Sequence, residues 1–193
     1  MIAKLVKALL LKSYFLMNNS NLLKAETQEF HDRTERVMNA KLLFSNQFNL
    51  DHYKNFILKS YSYISSINQI TAANWSIYDD IITSKQNALL IDLKHLEPVD
   101  ISKKKIIINN NDKFYYLGLV YIILGAMLGN KIILKKLQDY PSFVNYPFAY
   151  LSEHQHDFGE IWRGFQDIIN SLKKDELDRV IEGAKDGYIL FSE

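Results

Sequence analysis

A chain of 193 residues with 48% hydrophobic and 13% aromatic content is long enough to bury one sizeable core, and it indicates a single domain. The 23 basic and 22 acidic residues leave a formal charge of +1, which gives no electrostatic reason to expect a nucleic-acid partner. With no cysteine, the chain cannot form disulfides, thiolate metal sites, iron–sulfur clusters or a cysteine nucleophile, and the cytoplasm is the default expectation for its location.

The first 20 residues have the basic and apolar character of a signal peptide. Lys4, Lys7 and Lys12 interrupt the apolar run, however, and no cleavage site of small residues follows it. An amphipathic extension that packs on the protein or on a neighbouring subunit is therefore favoured over a helix lying on a membrane surface. We divide the chain accordingly into an N-terminal amphipathic extension, residues 1–20, and a helical domain, residues 21–193.

Apolar residues at helical spacing predict a series of helices after this extension. The pattern is clearest over 51–70, and it recurs over 21–41, where Asn21 is predicted to cap the first turn. Shorter helices are predicted over 71–82 and 84–96, and Ser84 is the predicted cap of the second.

The second half of the chain begins with a polar, turn-rich segment over 97–112, which we predict to be an exposed connection. Helical periodicity returns over 113–138, and the apolar run within it is too short to cross a bilayer, so it is interpreted as a core helix. Three further helices are predicted over 142–151, 160–172 and 175–191. No segment alternates with period 2, so the predicted fold class is all-α, a single-domain bundle of about seven to nine helices.

His31 lies at the edge of the apolar stripe of the first predicted helix. A lone histidine in such a position is more often a packing residue than a ligand. Glu35, however, lies one turn away on the same helix face and could accept the proton of one ring nitrogen, which would leave the other nitrogen available to a metal. On spacing alone, both interpretations stay open.

Gly125 and Gly129 interrupt the strongly helical segment 113–138. Each glycine costs about 1 kcal/mol in a helix interior relative to alanine, so a compensating role is expected. Their spacing of four residues removes the side chains from one face over a turn. That bare face suits either a tight crossing with another helix, which spacing alone favours, or the close approach of a flat ligand.

Several segments, taken together, resemble the bacterial biliverdin-producing heme oxygenases. LKAETQEFHDRTE, which contains His31, resembles the proximal helix of that family, in which a glutamate follows the histidine by four residues. YIILGAMLGNKII, which contains Gly125 and Gly129, resembles the family's distal helix. Weaker matches occur in the family's order at NALLIDLKHL, GEIWRGF and the closing VIEGAKDGYILF, so the resemblance runs from about Leu22 to Phe191.

The resemblance implies a heme oxygenase, an enzyme that cleaves heme to biliverdin, carbon monoxide and ferrous iron. Heme would be both substrate and cofactor, O2 the oxidant, and a reductase, a ferredoxin or ascorbate the external electron donor. His31 would be the axial ligand of the heme iron, with Glu35 beside it. Gly125, Gly129 and Asn130 would form the catalytic face of the distal helix.

The resemblance also implies contacts between heme and further side chains. Basic residues are expected at the heme propionates. Lys24, two turns before His31 on the same helix face, is a candidate, although an ordinary solvated lysine is the alternative, and Arg163 and Lys131 are further candidates. The additional positions implied to contact heme are Lys24, Thr27, Met38, Tyr121, Ala126 and Arg163.

Two residues depart from the family pattern. Ala126 replaces a small polar residue, and Asn130 stands where a second glycine often follows the first. Both changes are expected to alter the water network of the distal pocket. A catalytically silent heme carrier or sensor of the same fold is therefore the alternative function.

The remaining histidines are weaker candidates for chemistry. His52 and His95 are predicted on the surfaces of amphipathic helices. His154 and His156, in SEHQHD, could bind a transition metal, but a solvated loop is favoured on spacing alone.

Overall fold

The computed structural model describes residues 17–70, 76–96, 108, 112–154 and 156–192. These residues form eight α-helices and no strand, which confirms the predicted all-α class. The helices are α1 (Asn19–Val37), α2 (Ala40–Phe44), α3 (Leu50–Ile67), α4 (Ser76–Lys94), α5 (Lys113–Gln138), α6 (Ala149–Ser152), α7 (Phe158–Ser171) and α8 (Lys174–Ser192), with a 3-10 helix over Pro141–Phe143. The predicted connection over 97–112 and the N-terminal extension lie mostly outside the described residues.

Polar side chains cap the first turns of three helices. Asn18, and not the predicted Asn21, caps α1, because its side chain accepts a hydrogen bond from the backbone N–H of Asn21. Asn49 and His52 form a reciprocal capping box at the start of α3. Asp112 accepts hydrogen bonds from two backbone N–H groups in the first turn of α5. These caps satisfy donors that a helix start leaves without an intrahelical partner.

Three predicted helix boundaries were wrong. The first helix ends at Val37 and not at residue 41, because Asn39 adopts a left-handed backbone with φ of 55°. The helix predicted over 142–151 is instead the 3-10 turn and the short α6, with Asn145 and Phe148 in left-handed conformations between and before them. The break predicted before Ser84 is absent, since α4 continues through that residue.

The helix α5 forms the centre of the core and packs along α8. Among the described helices, α5 alone is long and apolar enough to cross a membrane by composition, with a mean hydropathy of 1.9, yet half of its most apolar window is buried in the protein. Leu117, Leu119 and Leu124 are completely buried within it. The interpretation of this segment as a core helix is therefore confirmed.

Glycines allow α5 and α8 to approach at backbone contact. A Cβ atom on Gly118 of α5 would collide with the carbonyl oxygen of Val180, and one on Gly183 of α8 would collide with the carbonyl oxygen of Tyr115. No side chain fits at either position without moving a helix, so these two glycines set the spacing of the central helix pair.

The helix α1 lies along α8 and is held there by polar pairs. Glu26 pairs with Lys185 at 2.9 Å, and the hydroxyls of Thr34 and Ser192 are 2.9 Å apart. Because eight residues separate the first pair from the second on α1 and seven on α8, the two helices run parallel over this stretch. The side-chain amide of Asn19 donates to two backbone carbonyls at the end of α7 and so ties the start of α1 to that helix.

Candidate active site

His31 lies on α1 between the two polar pairs that join α1 to α8. Its side chain is 46% exposed, and its ring packs edge-on against Tyr188 of α8, with centroids 5.9 Å apart and planes at 84°. One ring nitrogen, Nε2, lies 3.7 Å from a carboxylate oxygen of Glu35, and Nδ1 lies 3.7 Å from one of Asp32. Both distances exceed the hydrogen-bonding range, so the carboxylates lie near the imidazole but do not form hydrogen bonds with it.

The same three residues form a group that could hold a metal ion. One ligand atom from each of His31, Asp32 and Glu35 lies within 4.8 Å of the others, and all three side chains are exposed on one face of α1. A single imidazole flanked by carboxylates can serve either as a chelating group or as one axial ligand whose second nitrogen is held by a carboxylate.

Tyr121 joins the central helix α5 to α1. Burial raises the pKa of its phenol, and the nearby hydroxyl of Thr27 of α1 acts in the opposite direction. Its ring stacks on Phe165 of α7 and lies 6.1 Å from that of Trp162. Thr27 precedes His31 by one helical turn, so this contact places α5 beside the turn of α1 that carries the histidine.

Beyond this contact, one face of α5 is open. Among the described residues, a Cβ atom on Gly125 would meet no atom within 4 Å, and one on Gly129 would meet only Cδ1 of Ile133, at 4.0 Å. Leu128 and Ile132 lie on the same face by helical spacing and are 51% and 56% exposed. Bare backbone flanked by exposed apolar side chains is a surface suited to an apolar ligand.

The tight helix crossing that glycine spacing alone favoured occurs elsewhere on α5. Gly118 makes that crossing with Gly183, whereas no helix of the described part of the chain crosses α5 within 4 Å of the Cβ positions of Gly125 and Gly129. The approach of a flat ligand to the latter pair stays a prediction.

Asn130 follows the open face and is almost completely buried. Neither its amide oxygen nor its amide nitrogen has a hydrogen-bond partner among the described residues. An unpaired buried polar group costs about 1–3 kcal/mol, so we expect this amide to find its partner in a bound ligand or in water that the ligand traps. Ala126, one turn earlier on the same side of α5, is half-buried.

The other predicted site residues are mostly exposed. Lys24 on α1, Lys131 on α5 and Arg163 on α7 are all exposed. Met38 is half-buried at the C-terminal cap of α1. The contacts of the described residues do not join these four side chains to His31 or to the glycines of α5, so their roles toward a ligand stay predictions.

Tyr188 was not identified from the sequence. It lies in the closing segment VIEGAKDGYILF, and it interacts electrostatically with Tyr121 and Glu35, which together with burial raise the pKa of its phenol. Its position depends on the pairing of α8 with α1 and α5, so no local pattern could have revealed it. It also lines a cavity of about 100 Å³ whose other residues are Phe30, Arg33, Val37, Ile189 and Ser192.

The prediction of a solvated loop was wrong for His154. Its Nε2 lies 2.8 Å from the hydroxyl of Ser84, and its Nδ1 lies 3.0 Å from a carboxylate oxygen of Asp157, so this ring joins α4 to the start of α7. His156 is 87% exposed, as predicted. Of the other two, His52 caps α3 and His95 is exposed after α4.

These features define a class of protein, an all-α bundle in which the helix that carries the histidine interacts, through Thr27 and Tyr121, with the helix that carries the glycines. The family model for heme oxygenase matches residues 17–193, and the chain belongs to the heme oxygenase family. A heme oxygenase from Leptospira interrogans shares the fold with a TM-score of 0.71 and 16% identity, over 91% of this chain and 97% of that one. The NO- and CO-bound heme oxygenase from Neisseria meningitidis does so with a TM-score of 0.64 and 19% identity, over 91% and 88%. Comparison with curated proteins finds no significant match.

Proposed function

We propose that this protein is an active heme oxygenase, which opens heme to biliverdin, carbon monoxide and ferrous iron with O2 and electrons from an external donor. A reductase, a ferredoxin or ascorbate would supply the electrons, and the protein would act in the cytoplasm. The observation that carries the proposal is the half-exposed His31 on α1 together with the bare face at Gly125 and Gly129 on α5, in a chain of this family.

The residues present fit a heme. A planar macrocycle needs a wall without side chains, and no described residue comes closer than 4.0 Å to the Cβ positions of Gly125 and Gly129. It needs apolar surface, which Leu128 and Ile132 offer on the same face. It also needs a nitrogen ligand for iron, and the ring nitrogens of His31 make no hydrogen bond within the described part of the chain.

Each residue would then have a separate task. His31 would hold the iron through one ring nitrogen, while Glu35 accepts the proton on the other and so fixes the tautomer. The face of α5 at Gly125 and Gly129, which has no side chains, would leave room for the porphyrin. The buried amide of Asn130 would hold water near it. Bound heme supplies both the redox-active iron and the carbon that is oxidised. Exposed cationic side chains at Lys24 and Arg163 would bind the propionates.

The experiment that tests this function is a heme titration of the full chain, followed by ascorbate under air with catalase present. We expect saturation at one heme per chain, then loss of the Soret band and growth of a bilin absorption. Catalase removes free peroxide, so the spectral change reports the reaction at the protein site. No saturable binding would contradict the proposal.

A catalytically silent heme carrier or sensor is the second candidate. Ala126 favours it, because a methyl group replaces a polar side chain next to the open face and can hold no water there. Saturable heme binding with a stable Soret band in ascorbate, and with reductase or ferredoxin added, would support the carrier over the oxygenase.

A further inference from the structure

Tyr188 has no part in the function proposed above, yet its ring contacts the candidate iron ligand. The Tyr188 and His31 rings meet edge-on, with centroids 5.9 Å apart and planes at 84°. Aromatic rings favour this perpendicular arrangement because the positive edge of one faces the negative face of the other. Tyr188 is buried, whereas His31 is half-exposed, so the buried ring is the fixed member of the pair.

Polar pairs join α1 and α8 on both sides of this contact. Glu26 and Lys185 pair on one side of it, and Thr34 and Ser192 pair on the other. The distance between the two rings therefore follows from the docking of α1 on α8.

Without such a contact, the His31 side chain would have several orientations. A half-exposed side chain on a helix samples more than one rotamer, and the carboxylates of Asp32 and Glu35 compete for the ring from opposite nitrogens at the same distance of 3.7 Å. The two carboxylates therefore do not by themselves decide which nitrogen faces away from α1. The ring of Tyr188 is a third, asymmetric contact that can decide it.

We propose that Tyr188 is a positioning residue, which sets the plane of the His31 imidazole and so determines which ring nitrogen is presented to the iron. This inference rests on the proposed heme-binding function. This positioning role requires the aromatic ring of Tyr188 and not its hydroxyl. Tyr188→Phe, which keeps the ring, should therefore retain the role, and Tyr188→Leu should lose it. A matched control is Tyr115→Phe, which removes a hydroxyl that donates a hydrogen bond to Asp186 of α8, from a ring that is not among the ring contacts of His31 in the described part of the chain.

The first measurement uses the heme-free full chain. Long-range proton–nitrogen NMR of the imidazoles reports the tautomer of His31, which His31→Ala assigns. We expect one dominant tautomer in the wild type, in Tyr188→Phe and in Tyr115→Phe, and a mixture of both in Tyr188→Leu. A single, unchanged tautomer in a folded Tyr188→Leu protein would overturn the proposal. If that variant does not fold, Tyr188→Met, with a flexible side chain of similar length, takes its place under the same criterion.

The second measurement uses the same proteins after titration with heme and reduction. The iron–histidine stretching band in the resonance Raman spectrum should be single in the wild type and Tyr188→Phe, and displaced or split in Tyr188→Leu. An identical band in all variants would overturn the proposal. If the wild type binds no heme, the proposed function fails, while the NMR comparison still decides whether Tyr188 orients the ring.

Discussion

His31 is half-exposed on α1, so its imidazole can be removed with little disturbance to the fold. Exposed substitutions usually change stability by less than about 0.5 kcal/mol. We expect His31→Ala to unfold at nearly the wild-type temperature by circular dichroism, but to lose both the histidine-ligated spectrum of bound heme and ascorbate-driven turnover. The control is His95→Ala, which removes another exposed imidazole. An unchanged heme spectrum in His31→Ala would exclude the ligand assignment.

Asn130 presents the opposite situation, a buried polar side chain whose amide groups are both unpaired. Replacing it with leucine, which has the same branched shape and the same number of side-chain heavy atoms, removes two polar groups that make no hydrogen bond with the described residues. We expect Asn130→Leu to raise the free energy of unfolding of the heme-free protein by about 1 kcal/mol, measured by urea titration. Asn68→Leu removes an exposed amide that bonds to Gln86 and should bring no gain. A loss of stability in Asn130→Leu would instead reveal a structural water bound to the amide.

How far the sequence predicts a residue's role depends on whether its partners are local. Glu35 was predicted to lie beside His31 because four residues make about one helical turn, and in the structure its carboxylate is 3.7 Å from Nε2 of the imidazole. The burial of Asn130 and the ring contact of Tyr188 depend on how α5 and α8 pack with helices distant in the chain. No short pattern contains that information, so Tyr188 was missed and the unpaired amide of Asn130 was unforeseen.

At the scale of the element, α5 carries glycines of two kinds. Gly118→Ala would press a methyl group against the carbonyl oxygen of Val180. We expect it to destabilise the protein by about 3 kcal/mol in thermal unfolding, because only a helix shift relieves the contact.

Gly125 is of the other kind. The methyl group of Gly125→Ala meets no atom of the described residues and should stabilise the helix by about 1 kcal/mol. The same methyl group would occupy the open face and weaken heme binding. Thermal unfolding and heme titration measure the two effects.

The control for Gly125 is Gly164 of α7, where an added Cβ atom also meets nothing within 4 Å. Gly164→Ala should show the gain in stability without any change in heme affinity. Equal heme affinity in the two variants would mean that the face at Gly125 is not the wall of the heme site.

Helix limits could be predicted where a local signal marks them. The predicted 113–138 coincides with α5, because Asp112 caps its start and its apolar run is continuous. The 142–151 prediction failed because apolar spacing carries no sign that Phe148 adopts a left-handed backbone. Ser84 was mistaken for a cap because its partners, Glu153 and His154, come from a segment about 70 residues later.

For the whole molecule, two solved heme oxygenases keep this fold at 16% and 19% identity. A core tolerates such divergence when volume and apolar patterning persist, so the fold class could be predicted from spacing alone. The docking of α4 on α6 and on the residue that follows it could not be predicted, because it depends on a buried charge. Lys85 is completely buried and donates hydrogen bonds to the carbonyl oxygens of Tyr150, at 3.1 Å, and Glu153, at 2.7 Å.

That buried lysine should make the stability of the whole fold depend on pH. Burial lowers the pKa of Lys85 from its ordinary 10.5 to about 8, although the carboxylates of Glu153 and Asp157 oppose the shift. Between these values the Lys85 side chain binds more protons in the unfolded chain than in the folded one, so its contribution to the free energy of unfolding rises with pH. From about pH 8 to 10 we expect the free energy of unfolding of the wild type, measured by urea titration, to rise by up to about 2 kcal/mol relative to that of Lys85→Met, and that of Lys135→Met, whose lysine is exposed, to follow the wild type.

The comparison isolates Lys85, because buried tyrosines such as Tyr78 and Tyr150, whose pKa values burial raises to about 12, act in the opposite direction in all three proteins. If the free energy of unfolding changed equally with pH in all three proteins, the buried Lys85 ammonium would lose no proton in this range. Its two carbonyl contacts would then stabilise the charge as well as water does.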